Sequence, residues 1–167
     1  MKLNEAQDKF IQSWSQLGSS WGINKTMAQI HALLLIAPEA LSAEDIMEKL
    51  VISRGNTNMN VRALIDWGLV YKKHKPGERM EFFYAEKDIS KVARFIAKER
   101  RKREIEPVVA LMDELSHTDI GNSLEAEEFT KVTRDIHKFT AKVDNLVDRF
   151  SKSDENWFYA TLLKLFK

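Results

Sequence analysis

Ser53-Arg54-Gly55-Asn56-Thr57-Asn58-Met59-Asn60-Val61-Arg62-Ala63-Leu64-Ile65-Asp66-Trp67-Gly68 spells a helix with two unlike faces. At 100° per residue, Thr57, Val61, Leu64 and Ile65 cluster on one side, where they can pack against neighbouring helices. Gly55, Asn56, Met59, Arg62, Ala63 and Asp66 fall opposite, Asn58 and Asn60 lie on the flanks, and Arg54 sits at the start. Asn is a poor helix former, so three of them in one short helix carry a cost that calls for a compensating role. Ser53 is placed to cap the helix, and Gly68 to end it.

On the N-terminal side, Ser42-Ala43-Glu44-Asp45 predicts a capping box that opens a short helix with Ile46 and Leu50 on its buried side. Val51-Ile52 leaves only a brief turn before Ser53, so the two helices form a helix-turn-helix candidate. On the C-terminal side, Leu69-Val70-Tyr71-Lys72-Lys73-His74 and Met80-Glu81-Phe82-Phe83-Tyr84-Ala85 flank Lys75-Pro76-Gly77-Glu78-Arg79. Aromatic and β-branched flanks around Pro-Gly predict a β-hairpin. A hairpin directly after the second helix makes the helix-turn-helix a winged one.

The rest of the chain reads as helix. A first helix spans about residues 3–19, with Leu3, Phe10, Trp14 and Leu17 on its apolar side, and Gly22 breaks it. Asn24 can cap a second helix over 25–37, apolar around much of its circumference and ended by Pro38. A long helix follows the hairpin over about 88–115, and Pro107 should kink or break it. After the turn at Gly121-Asn122-Ser123, Phe129, Val132, Ile136, Phe139, Val143, Leu146 and Phe150 recur at alternating spacings of 3 and 4. That is a sustained heptad, suited to a dimer seam and equally to an intramolecular helix pair. A final amphipathic segment holds Trp157, Phe158, Leu162, Leu163, Leu165 and Phe166.

The charge is uneven. Residues 53–79 carry six cations (Arg54, Arg62, Lys72, Lys73, Lys75, Arg79) and two anions (Asp66, Glu78), a local excess of +4 in a chain whose net charge is +1. Such asymmetry points to one region that faces a polyanion. The Asn and Arg side chains suit the major groove of duplex DNA, where Asn pairs with adenine and Arg with guanine. The expected DNA contacts are Asn56, Asn58, Asn60 and Arg62 at bases, and Ser53, Arg54 and Thr57 at phosphate near the helix start. Thr57 is also placed towards the core by the helical wheel. Lys75 and Arg79 would enter or straddle a minor groove, where the narrow cationic tip meets strong negative potential. A second basic stretch, residues 98–103, reads first as a solvated face, with Arg94, Lys98 and Arg101 at phosphates as the alternative.

Several function classes are excluded or disfavoured. The 167 residues contain no cysteine, so disulfides, thiol redox switches and Cys-based zinc sites are excluded. No apolar run approaches the roughly 18 residues of a membrane helix, and the N-terminus lacks the apolar stretch of a signal peptide, so a cytoplasmic location is expected. His31, His74, His117 and His137 are scattered, and no nucleophile elbow, P-loop or dinucleotide-binding glycine pattern occurs. We expect no enzyme, no cofactor and no metal.

The string Ser53-Arg54-Gly55-Asn56-Thr57-Asn58-Met59-Asn60-Val61-Arg62-Ala63-Leu64 followed by Asp66-Trp67-Gly68-Leu69-Val70 resembles the GbsR-type branch of the MarR family of regulators. The Leu33-Leu34-Leu35 helix with Pro38 and Leu41-Ser42, and the wing Lys75-Pro76-Gly77-Glu78-Arg79, are similar to that branch too. The resemblance covers about residues 10–115. It implies a transcriptional regulator, of repressor type, that acts as a homodimer on a pseudo-palindromic operator with one recognition helix per half-site. Arg79 takes the position of the family's wing arginine, and Glu78 stands where many relatives carry Asp. The resemblance also implies a small-molecule effector. Trp14, Trp21 and His31 lie on helices that could line its pocket, although their first reading is as core, and the residues specify no ligand.

The expected fold is thus mainly α with a minor β component: a winged helix-turn-helix whose N- and C-terminal helices form a dimerisation region. The expected organisation is residues 1–22 as an N-terminal dimerisation helix, 23–87 as the DNA-binding domain, and 88–167 as C-terminal dimerisation helices. The alternatives are a winged-helix protein-interaction module and an architectural DNA binder without sequence preference.

Overall fold

The computed structural model describes residues 1–20, 22–77 and 79–153. Trp21, Glu78 and the amphipathic segment expected after residue 153 lie outside the described residues. The chain divides into two compact units, Met1–Val92 and Ala93–Lys167.

In the first unit, α1 (Leu3–Ser20) packs on α2 (Lys25–Ile36). Their junction is tight at Gly18, where an added Cβ would come within 2.7 Å of the Ala28 Cβ. A larger residue there would push the two helices apart. Asn24 caps α2 as expected, its side-chain oxygen accepting from the backbone N–H groups of Thr26 and Met27. At the other end, the Lys87 ammonium donates to the carbonyls of Leu34, Leu35 and Ala37. This one cation answers the carbonyls that a helix C-terminus leaves unpaired. Loss of solvent around it holds the Lys87 pKa below its ordinary value.

The Ser42 capping box forms in full. The Ser42 hydroxyl accepts from the Asp45 N–H at 3.1 Å, and the Asp45 carboxylate accepts from the Ser42 N–H at 2.8 Å. The Ser42 hydroxyl also donates to that carboxylate at 2.7 Å, and this bond, followed by the one from the Ser42 N–H, holds the Asp45 carboxyl below its usual range. Helix α3 (Ala43–Leu50) follows, and then Val51 in the left-handed region at φ 53°. The turn ends at Ser53, whose hydroxyl caps α4 (Arg54–Asp66) by accepting from the Asn56 N–H. Gly68, at φ 76°, turns the chain out of α4.

The expected hairpin is β2 (Val70–His74) paired antiparallel with β3 (Glu81–Ala85). A third strand, β1 (Leu41–Ser42), joins its other side with Leu41 opposite Phe83, giving the order β1-β3-β2. Two residues are too short for an alternation of polar and apolar side chains, so β1 is not readable from the sequence. The core of this unit gathers Ile30, Leu34, Ile46, Leu64 and Val70, each nearly inaccessible to solvent.

The second unit contains most of α5 (Ile89–Arg100), then a π-helical segment (Arg101–Ile105), α6 (Glu106–His117) and α7 (Leu124–Lys152). The interruption expected at Pro107 takes the form of this π segment, in which the Glu106 N–H reaches back five residues to the Arg101 carbonyl. Proline supplies no N–H to the carbonyl four residues earlier and its ring crowds it, so the preceding turn widens. Ser123 caps α7.

Helix α7 meets α6 through a seam of small side chains, with Ala126 and Thr133 of α7 and Ser116 of α6 buried. Five positions of the apolar heptad point elsewhere. Phe129, Val132, Ile136, Phe139 and Leu146 are 40–67% exposed. The intramolecular pair that the sequence left open therefore uses a different stripe of α7.

Candidate nucleic-acid interface

Helix α4 presents the two faces read from its sequence. Thr57, Asn60, Val61 and Leu64 are buried against the unit. Gly55, Asn58, Met59, Arg62 and Asp66 are exposed along the other side. Asn58 and Arg62 have neither a hydrogen bond nor an ion pair among the described residues, so both side chains are available for contact. Met59, 59% exposed between them, was not among the expected site residues. Its position opposite the core was legible, and its apolar tip suits a thymine methyl group.

Two expected contacts are corrected by burial. Thr57 is fully buried and its hydroxyl donates to the Ser53 carbonyl at 3.0 Å. Asn60 is 3% exposed, and its amide is spent inside the helix on the Asn56 carbonyl and the Asn56 side chain. Neither side chain can present a polar atom to a duplex without leaving the core. Asn56 is half-buried and lies 3.5 Å from the Thr26 hydroxyl on α2.

The start of α4 keeps an anion-binding character. Ser53 is exposed, and with its oxygen already accepting from Asn56, its hydroxyl proton remains to donate. The unpaired N–H groups and the helix dipole favour a phosphate there. Arg54 makes a 3.0 Å ion pair with Glu44 on α3, and both side chains are more than half exposed. Such a pair contributes under about 1 kcal/mol, so a phosphate can displace Glu44.

The wing carries its cations unevenly. Lys72 is paired with Glu81 at 2.8 Å across the hairpin, and this bond holds the Glu81 carboxyl below its usual range. Lys75 lies over the Phe82 ring, with its ammonium 4.0 Å from the ring centroid, which draws its charge back from the tip. Lys73 and Arg79 are exposed and have no ion pair among the described residues. The tip itself turns at Gly77, φ 84°, a conformation that other residues seldom adopt.

The basic stretch of the second unit is largely engaged. Arg101 approaches Asp144 with two nitrogens, at 2.8 and 2.9 Å, and also pairs with Glu106 at 2.8 Å and Asp148 at 3.2 Å. Arg100 is held by Glu104. Arg101 thus fastens the π segment to α7 and is not available to a phosphate.

Among the described residues, no cluster of His, Cys, Asp or Glu could hold a metal ion, and no helix is long and apolar enough to cross a membrane. His31 is 3% exposed and packs beside Trp14, with ring centroids 5.9 Å apart. Burial pushes its imidazole down to about 4, and the Lys87 charge adds to the shift.

A helix-turn-helix, a hairpin wing and a three-stranded antiparallel sheet within a mainly helical chain define a winged helix-turn-helix fold. Residues 21–79, a stretch that includes α2, the helix-turn-helix and the first strand of the wing, match the model of the MarR family. A solved structure described as "Crystal Structure of a transcriptional regulator" shares the fold with a TM-score of 0.65 at 17% sequence identity. The match covers 87% of this chain and 95% of that one. No curated protein matches the chain. The family match supports a DNA-binding transcription regulator.

Proposed function

We propose that the protein is a sequence-specific regulator of transcription, of repressor type and of the GbsR-like branch, that binds a pseudo-palindromic operator as a homodimer. The observation that carries this reading is the outward face of α4, where Asn58, Met59 and Arg62 stand exposed beside a cationic wing. Arg62 offers the planar fork that matches guanine O6 and N7. Asn58 and Asn56 supply amide contacts, Ser53 and Arg54 hold phosphate, and Arg79 enters the minor groove with Lys75 straddling it. Thr57 and Asn60 serve as support from within.

The exposed heptad of α7 supports the homodimer. Five large apolar side chains in an a/d pattern form a seam that a second copy of the chain can close by interdigitation. In this reading α1 and the C-terminal helices contribute the dimer contacts and set the spacing of the two recognition helices.

Fluorescence anisotropy tests this with a labelled duplex from the protein's own upstream region beside a scrambled duplex, across a salt series. Salt-dependent binding that prefers the native duplex, at one dimer per duplex, is expected. Equal binding to both would point to an architectural role. Absence of binding at low salt to both would favour a protein-interaction module.

A further inference from the structure

The side-chain amide of Asn56 has its orientation imposed from inside the fold. Asn60 lies one helical turn later, and its nitrogen Nδ2 sits 2.8 Å from the Asn56 backbone carbonyl and 2.7 Å from the Asn56 side-chain oxygen. A backbone carbonyl can only accept, so the Asn60 atom that faces it must be the NH₂ group. The same NH₂ group then requires an acceptor on the Asn56 side chain. That places Asn56 Oδ1 inward, against Asn60, and turns Nδ2 to the opposite side, where it lies 3.5 Å from Thr26 Oγ1. Asn60 is 3% exposed and packed in the core, which keeps it from following a rotation of Asn56.

Resting on the reading of α4 as the base-reading helix, we propose that Asn60 is a positioning residue that presets Asn56 as a hydrogen-bond donor, so that Asn56 reads guanine. Adenine presents a donor at N6 beside an acceptor at N7, and an Asn side chain pairs with both only by offering its oxygen and its NH₂ together. With Oδ1 committed to Asn60, Asn56 offers the duplex N–H alone. Guanine presents two acceptors, O6 and N7, and is the purine edge that such a group matches. The 3.5 Å approach to Thr26 is long, so the N–H group can exchange that hydroxyl for a base without loss of a strong bond.

The experiment is selection from a pool of randomised duplexes by the full-length protein, followed by sequencing of the bound fraction. Wild type, Asn56→Ala, Asn60→Ala and Asn56→Asp are compared. Wild type is expected to enrich a motif with one guanine per half-site that Asn56→Ala erases. Asn60→Ala should keep the rest of the motif but lower the guanine preference there by about five- to tenfold, with adenine rising as the amide becomes free to turn. A variant that only loosened the helix would weaken all positions together. Asn56→Asp tolerates any folding deficit of Asn60→Ala, because a carboxylate is favoured near a helix N-terminus and can still accept from Asn60. It should lose guanine at that position, since the outward N–H has become an oxygen.

An unchanged motif in Asn60→Ala overturns the proposal. So does an adenine at the Asn56-dependent position of wild type, or no base preference that depends on Asn56, which would mark a phosphate contact. If wild type enriches no motif at all, the base-reading function of α4 falls and this proposal falls with it.

Discussion

At the residue scale, the polar side chains of α4 divide into those that face outward and those that serve the helix itself. A helical wheel places Asn58 and Asn60 on opposite flanks but does not give their depth, which depends on what packs there. Asn60 is buried by its neighbours and folded back onto Asn56, whereas Asn58 is exposed. Arg79 is the residue whose role is most directly measurable. Arg79→Ala should weaken duplex binding and flatten the slope of log K against log salt by about one per half-site, as one phosphate-region cation is removed. An unaltered slope in a salt titration would remove Arg79 from the interface.

His31 makes a different prediction at the same scale. Above pH 6.5 its imidazole is neutral in both the folded and unfolded chain and carries no penalty. Between pH 6.5 and about 4, the unfolded chain takes up a proton that the buried site refuses. Stability therefore falls as pH falls through that window, by roughly 3 kcal/mol in all. His31→Phe, which fills a similar space beside Trp14 without a titrating group, should flatten this part of the profile. Urea midpoints between pH 7 and 4.5 measure it, and parallel profiles for the two proteins would refute the assignment.

At the scale of elements, most of what forms the helix-turn-helix is local chemistry. Asn24, Ser42 and Ser53 each precede a helix and each caps it in the structure. Ser42→Ala removes both the cap and the hydroxyl that bonds Asp45, and should cost about 1 kcal/mol in urea unfolding. Ser42 also ends β1, yet its pairing with Phe82 uses backbone groups and survives the change. A loss below a few tenths of a kcal/mol would mean that α3 is held by its packing alone. The π segment belongs to this scale as well. Pro107 dictates that the helix yields, and the grip of Asp144 and Asp148 on Arg101 goes with the place where it does.

At the scale of the whole molecule, the exposed heptad positions Phe129, Val132, Ile136, Phe139 and Leu146 of α7 are what supports the proposed second chain. Phe139 is 67% and Leu146 60% exposed, at the same position of successive heptads in one stripe. Phe139→Glu places a charge in the proposed seam, where its desolvation is unfavourable. Sedimentation velocity should find a dimer for the wild type and a monomer for the variant. Operator affinity should drop roughly 10²-fold or more, because two half-site contacts no longer act as one. Circular dichroism unchanged between the two would show that the protomer fold is intact. A dimer that persists in Phe139→Glu would move the interface to other elements.

The sequence by itself determined the order and type of the main elements, because capping residues, Gly68, Pro107 and heptad spacing act over one or two helical turns. It also placed the solvent-facing side of α4 at Gly55, Met59 and Arg62, since azimuth around a helix follows from residue number. Only the tertiary structure decided the rest. Strand β1 exists because β3 offers it an edge, not because Leu41-Ser42 has a strand pattern. Lys75 is drawn onto Phe82, Arg101 is taken up by acidic residues some 40 positions later, and Asn60 is sealed into the core. Each of these depends on groups brought together from distant parts of the chain or on burial by packed neighbours, and no local pattern encodes which partner will arrive.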